Sequence, residues 1–263
     1  MPEPDKSSSP QQTEPGSSPG AGGARTAGGQ DQEAAARAVR EMFSSIAPRY
    51  DLLNHVLSFN TDRYWWWRAA RTFRHILSRP GAGVLDVCCG TGDMTFALAR
   101  RAVPGVAIVG ADFSLPMLEL ARQKGAGRPI EWVEADALKM PFADASFDLV
   151  TSAFGFRNLA NYAEGLNEIY RVLKSDGEIG ILDFGEPQGW LGKLYRSYFR
   201  HVLPRLGTMI SGVRGPYAYL PASVSRFPAP EQMLASMRQA GFTSAGYTPY
   251  SFGIAGLYRA RKP

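Results

Sequence analysis

From residue 39 onward, apolar positions alternate between two spacings. Val39, Met42, Phe43 and Ile46 recur at i, i+3, i+4 and i+7, and Trp65, Ala69, Phe73 and Leu77 repeat the pattern of one helical face. The second helix stops before Pro80-Gly81. Short apolar runs then take over: Val84 to Val87, Ala107 to Ala111, Ile130 to Glu134, Phe147 to Ser152 and Glu178 to Asp183 read as strands. Helices are predicted between them, from Asp93 to Arg101, from Ser114 (with Pro116 in the first turn) to Gly125, and through Leu166, Ile169, Tyr170 and Leu173 to Asp176-Gly177. A last helix runs from Pro230 to Gly241. Thr243 to Pro249 and Ser251 to Ala260 close the chain as two strands. Strands alternating with helices predict an α/β fold, a mainly parallel sheet with helices on both faces.

Residues 1–30 are dominated by Pro, Gly and Ser with no apolar period, which predicts a disordered tail ahead of one folded domain over residues 31–263. The tail lacks the charged start and apolar core of a signal peptide, and no run approaches the roughly 20 apolar residues that span a bilayer. A soluble cytoplasmic protein is expected. The net charge is +5, and much of the surplus falls in residues 186–227. There Lys193, Arg196, Arg200, Arg205, Arg214 and Arg226 face the single acid Glu186, among Trp190, Tyr195, Tyr198, Phe199, Tyr217 and Tyr219. Cys88 and Cys89 are the only cysteines; adjacent thiols suit neither an ordinary disulfide nor, without further ligands, a metal site. They are expected as small packed residues of a turn.

Candidate chemistry begins at that turn. Val84-Leu85-Asp86-Val87-Cys88-Cys89-Gly90-Thr91-Gly92-Asp93 is a strand breaking into Gly-x-Gly, where a ligand can approach the backbone at Gly90 and Gly92. A dinucleotide site would need a third small residue and a helix start that accepts pyrophosphate. Thr95 and Asp93 stand there instead, and Asp93 repels phosphate while favouring the positive end of its helix. S-adenosylmethionine has no phosphate and carries an ammonium, a sulfonium and a ribose diol, so it fits better. Asp112 follows the second strand about 20 residues past Gly92, the usual place of a ribose-binding acid. Ligands bind beyond the carboxyl ends of such strands, which also selects Asp136-Ala137 and Ser152 to Asn158. Asp136 is a candidate acceptor from an adenine amino group.

The run Met42-Phe43-Ser44-Ser45-Ile46-Ala47-Pro48-Arg49-Tyr50-Asp51, the turn Asp86 to Asp93, the phrase Phe154-Gly155-Phe156-Arg157-Asn158, the segment Tyr170 to Lys174 and His201-Val202-Leu203-Pro204-Arg205 together resemble the menaquinone/ubiquinone biosynthesis C-methyltransferase family. The resemblance covers about Val39 to the C-terminus. It implies a class I, Rossmann-like S-adenosylmethionine-dependent methyltransferase fold with a seven-stranded sheet, an N-terminal helical lid over residues 31–80 and an inserted helical basic lid over residues 186–227. It further implies cofactor contacts at Thr91, Asp112, Asp136 and Ala137, alongside the turn residues Asp86, Gly90 and Gly92. Ala153 stands where family members carry a serine before the Phe-Gly-x-Arg-Asn phrase, and Cys88 stands where methyltransferases generally have glycine. The Cys-Cys form is most similar to the demethylmenaquinone branch.

The activity so implied is C-methylation of a reduced prenylated quinol, demethylmenaquinol to menaquinol, leaving S-adenosylhomocysteine. A ring carbon becomes nucleophilic when a neighbouring hydroxyl loses its proton. Arg157 and Asn158 are the candidates to act on that oxygen, with Asp51 a further one and Tyr50 and His201 secondary. Because arginine stays protonated, oxyanion stabilisation or water orientation suits Arg157 better than base catalysis; pairing with a helix acid is the structural alternative. The basic insertion and Tyr64-Trp65-Trp66-Trp67-Arg68 pack as helix faces or form a lid resting on an anionic membrane surface, at the inner face of the cytoplasmic membrane. Nucleic acid is not expected as a partner, since the charge is modest and no amino-methylating Asn-Pro-Pro-Tyr motif follows the fourth strand. No metal site is expected.

Overall fold

The computed structural model describes residues 37, 39–42, 44, 58, 60–185, 187, 192 and 216–263. In chain order the elements are α1 (Thr61–Thr72), α2 (Arg74–Leu77), β1 (Gly83–Val87), α3 (Asp93–Ala99), β2 (Ala107–Asp112), α4 (Leu115–Lys124), β3 (Ile130–Glu134), β4 (Phe147–Ala153), α5 (Tyr162–Val172), β5 (Leu173–Phe184), α6 (Pro216–Arg226), α7 (Pro230–Gln239), β6 (Thr243–Tyr250) and β7 (Ala255–Arg261). The strands form one sheet in the order β3-β2-β1-β4-β5-β7-β6. β1 to β5 are parallel and β7 runs antiparallel to both β5 and β6. After β3 the chain returns to the other side of β1, so the connections diverge between β1 and β4 and open a crevice at their carboxyl ends.

Alternate side chains of the same strands feed two cores, which is why β1, β2 and β4 read as continuous apolar runs. Val84, Ile108, Leu149 and Leu182 pack with Trp65, Trp66, Ala69 and Phe73 of the N-terminal helices and with Met94 and Leu98 of α3. Leu85, Val109, Val150 and Ile181 pack on the opposite face with Leu166 and Ile169 of α5 and Met233 and Met237 of α7. Helices therefore cover both faces, as the alternation predicts. No helix among the described residues is long and apolar enough to cross a membrane.

Three boundaries differ from the expected ones. The helix expected through Leu77 breaks at Phe73 (φ −94°, ψ 16°), whose ring is fully buried and holds the break in place. The helix expected to end at Asp176-Gly177 ends at Val172, and the chain enters β5 directly. Leu173 pairs with Phe147, then Asp176 (φ 63°) and Gly177 make a bulge before Glu178 pairs with Leu149. The Asp-Gly signal thus marks a kink within a strand, which local chemistry alone cannot tell from a helix stop. The last strand starts at Ala255 rather than Ser251, because Ser251 (φ 46°) and Phe252 (φ 59°) form a tight left-handed turn. The tail of residues 1–30, the lid residues 45–57 and the basic stretch 193–215 lie outside the described residues, and with them Tyr50, Asp51 and His201.

Candidate active site

The turn after β1 is built from left-handed backbone: Cys88 (φ 53°), Gly90 (φ 55°) and Gly92 (φ 88°). At Gly92 a side chain is excluded on a second ground, since a Cβ there would stand 2.6 Å from the Trp132 ring of β3. The Cys89 N–H donates to the Ala111 carbonyl (3.0 Å) and the Gly92 N–H to the Cys89 carbonyl (2.9 Å), so the turn is fastened to β2 and to itself. Burial and the neighbouring aspartates push both cysteine thiols well above their ordinary range, so they stay neutral and line the turn.

Buried acids at the strand ends hold this loop. Asp112, ending β2, accepts from the Gly90 N–H through Oδ2 (2.8 Å) and from the Ser114 N–H through Oδ1 (2.9 Å). Burial raises its carboxyl to about 6 against the pull of those donors. A carboxylate offers about four acceptor positions, so two bonds leave room for a ribose diol. Asp86, expected among the cofactor contacts, has no exposed surface. Its oxygens accept from Thr95 Oγ1 (2.6 Å) and Thr151 Oγ1 (2.7 Å), and burial raises it to about 7 despite them. Asp86 therefore lies beneath the turn, bracing β1 against α3 and β4.

Thr91 is buried, with its hydroxyl 3.1 Å from Lys124 Nζ, and the same ammonium pairs with Asp93 at 2.9 Å. The Asp93 charge is thus matched by Lys124 rather than left open to a cation. Asp136 is exposed and caps its own turn through the Leu138 N–H (2.9 Å), while Ala137 is buried beside it. From the N-terminal residues Arg40 pairs with Glu134 at the end of β3, and Ser44 Oγ lies 3.0 Å from Ser114 Oγ. That hydroxyl pair occupies Ser114, which makes no side-chain cap to α4.

The Phe154–Asn158 loop sits directly on the turn. Gly155 approaches so closely that a Cβ would stand 2.4 Å from the Cys88 Cβ. Arg157 is 5% exposed: Nη1 donates to Asp183 Oδ1 at 2.9 Å and to the Phe154 carbonyl, its backbone N–H donates to Asp183 Oδ2 at 3.2 Å, and the guanidinium lies over the Phe184 ring. Arg157 Nε is buried with no hydrogen-bond partner. Asp183, at the end of β5, is wholly buried; burial raises its carboxyl and the Arg157 charge lowers it. The acid pairing with Arg157 thus comes from a strand rather than a helix. Asn158 closes the 3-10 turn Phe156–Asn158. Ser152 Oγ is buried against Cys88 and Gly155, so it belongs to the wall behind the turn. Asp183 and Lys124 were not among the expected site residues. Asp183 ends an apolar strand just as Asp112 does, and the same rule would have selected it.

The donor set fits S-adenosylmethionine. Carboxylates ring the turn, the α3 start carries an acid where a phosphate would sit, and its neighbouring cation is spent on that acid.

Residues 30–262 match the ubiE/COQ5 methyltransferase family. The demethylmenaquinone methyltransferase of Deinococcus radiodurans is 50% identical over 87% of this chain and 94% of its own length. That of Thermus thermophilus is 49% identical over 84% and 100%, and the ubiquinone/menaquinone biosynthesis C-methyltransferase UbiE of Geobacter sulfurreducens is 45% identical over 85% and 88%. Among solved structures the fold is similar to a SAM-dependent methyltransferase from Aquifex aeolicus (TM-score 0.56, 17% identity, 76% of this chain and 93% of that one). It is also similar to the [4+2]-cyclase SpnF (TM-score 0.63, 17% identity, 93% and 98%).

Proposed function

The chain belongs to the ubiE/COQ5 methyltransferase family, and from that premise we propose that it transfers a methyl group from S-adenosylmethionine to a ring carbon of a reduced prenylated quinol, converting demethylmenaquinol to menaquinol. The observation that carries this is the contact of Gly155 with Cys88, which seats the Phe154–Asn158 loop against the cofactor turn. When bound, S-adenosylmethionine supplies an electrophilic methyl on a sulfonium. Gly90 and Gly92 would let it approach the backbone, Thr91 and Ala137 would flank it, and Asp112 would hold its ribose and Asp136 its adenine amino group.

On the acceptor side the quinol hydroxyl next to the reacting carbon must lose its proton, since the negative oxygen pushes charge onto that carbon. Arg157 keeps its positive charge and serves as the oxyanion stabiliser, directly or through a held water, with Asn158 beside it. Asp183 fixes the guanidinium and, by binding the Arg157 N–H as well, fixes the loop backbone. Phe154 and Phe184, with ring centroids 4.5 Å apart, keep bulk water from competing. The lid segments expected over residues 31–80 and 186–227 would cover the isoprenoid tail and bring the protein to the inner membrane face as a peripheral protein, with α1 itself packed on the sheet beneath them.

Incubating the protein with S-adenosylmethionine and a dithionite-reduced demethylmenaquinone analogue should yield a C-methylated product by mass spectrometry. Absence of methylation on any reduced prenyl quinol, with cofactor binding verified by calorimetry, overturns the proposal.

A further inference from the structure

Large apolar side chains that the described residues leave exposed are few: Tyr64, Trp67, Leu115 and Phe252. They are not scattered. Trp65 packs against Phe154 and Phe184, which follow β4 and end β5, so the first turns of α1 lie at the carboxyl edge of the sheet. Tyr64 and Trp67 stack there with ring centroids 6.1 Å apart. The Trp65 indole N–H donates to Ser251 Oγ at 2.8 Å, which ties the β6–β7 link to the same place, and Phe252 projects from that link with 85% of its surface exposed. Leu115 opens α4 just beyond Asp112. The apolar exposure is thus gathered along α1 and the edge that carries the candidate active site.

Positive charge lies beside Trp67, on the outer side of α1 and at the far end of α3. The guanidiniums of Arg71 and Arg101 lie over the Trp67 ring at 5.4 and 5.3 Å. Arg63, Arg100 and Arg128 stand close enough that, after burial, the charges of Arg128, Arg63 and Arg101 lower Arg100 below its ordinary range. Arg79, Arg157, Arg171, Arg259 and Arg261 each have a carboxylate partner, whereas Arg122 and Arg238 on other surfaces form no ion pair among the described residues. Among the described residues, no carboxylate forms an ion pair with Arg63, Arg71, Arg101 or Arg128.

We infer that this face, centred on Tyr64, Trp67, Arg71 and Arg101 and extended by Phe252, docks on an anionic phospholipid bilayer, with the carboxyl edge of the sheet at the border of the contact. Indole and phenol rings suit the headgroup region, being apolar in body and polar at one end, and unpaired arginines bind lipid phosphates beside them. Phe252 has no hydrogen-bonding group and holds a left-handed backbone that a bulky residue adopts at a cost. An acyl phase gives that projection a purpose, and a nucleic-acid backbone does not. The inference rests on the quinol reading, because a prenylated acceptor resides in the bilayer and must reach the crevice from there.

Flotation of the full chain with vesicles of phosphatidylcholine and phosphatidylglycerol, against vesicles of phosphatidylcholine alone, tests it. Wild type should float with the anionic vesicles only. Each arginine near such a surface is worth about fivefold in partitioning, so Arg71→Gln/Arg101→Gln should lose more than tenfold. Tyr64→Ser/Trp67→Ser and Phe252→Ser should each lose severalfold. All three variants should still bind cofactor and methylate a short-tailed, water-soluble quinol as wild type does. Equal flotation with neutral vesicles, no flotation, variants that float like wild type, or arginine-dependent capture of an RNA oligonucleotide in place of vesicles would each overturn the docking face. Loss of soluble-quinol methylation in wild type strikes the proposed function instead and is read separately from flotation.

Discussion

Gly155 joins the family-specific loop to the cofactor turn, and replacing it with alanine is the sharpest test of how the site is assembled. The added Cβ would stand 2.4 Å from the Cys88 Cβ and 2.9 Å from the Cys88 carbonyl oxygen. Ordinary carbon contacts lie near 3.5–4.0 Å, so the overlap exceeds about 1 Å. Both clashing atoms of Cys88 are fixed by the backbone, and no rotamer relieves them. Gly155→Ala should therefore cost about 2–3 kcal/mol, the upper part of the overpacking range. It should also weaken S-adenosylmethionine binding, because Cys88 can yield only by moving Cys89 to Gly92.

The rescue makes the test specific. Cys88 holds φ at 53°, where a non-glycine residue is strained by about 1–2 kcal/mol and glycine is not. Cys88→Gly removes the 2.4 Å clash and that strain at the expense of a half-buried thiol, leaving only the 2.9 Å contact to the carbonyl and a 3.4 Å contact to Ser152 Oγ. Urea denaturation of wild type, both single variants and the double variant should give a favourable coupling of about 1–2 kcal/mol, with cofactor affinity partly restored in calorimetry. Additivity within about 0.5 kcal/mol would refute the claim that the two positions are matched.

Two other measurements probe the buried charges. Asp183→Asn should destabilise by about 3–5 kcal/mol by leaving Arg157 buried without its counter-charge, whereas Arg157→Met/Asp183→Leu should recover most of the stability and the cofactor affinity but no turnover; normal turnover in the double variant would remove Arg157 from the chemistry. Asp86 has a folded value raised to about 7 against an ordinary 3.8, so its stabilising proton is fully held below the lower value and lost as pH rises through the higher one. Wild type should then lose on the order of 2 kcal/mol relative to Asp86→Asn between pH 5 and 8, and parallel pH profiles by thermal denaturation would show that the carboxyl is not held protonated.

The sheet was legible because its central strands β1, β2 and β4 are buried on both faces and bounded by turn residues, so continuous apolar runs such as Val84–Val87 and Phe147–Ser152 had one reading. Ends were less legible, since Asp176-Gly177 carries the same signal for a helix stop and for a bulge. The turn after β1 and the acid after β2 followed from topology alone. What the sequence hid is the division of labour among the acids. Asp86 and Asp112 have the same composition context, an aspartate near the end of an apolar strand. One points down to two threonines and the other across to the Gly90 N–H. That difference depends on Thr151, which is 65 positions from Asp86 along the chain. The pairing of Arg157 with Asp183 is equally non-local, and the phrase Phe154–Asn158 names only one of its partners.

The unbalanced charge of this edge bears on why a sulfonium should be the ligand. Asp86 and Asp112 are buried, lack an ion-pair partner among the described residues, and hold their protons to about 7 and 6. Near neutrality they are poised, and an arriving cation favours their charged forms while an anion favours the neutral ones. A positively charged ligand at this turn should therefore bind with release of protons and more tightly as the carboxyls ionise, and a nucleotide phosphate should meet the opposite response. Methyl transfer removes the sulfonium charge, so S-adenosylhomocysteine loses the part of the attraction that depended on it. We expect the buried carboxyls of Asp112 and Asp86 to favour the charged donor over its neutral-sulfur product, and equal affinity for the two across pH 6 to 8 in calorimetry would refute it.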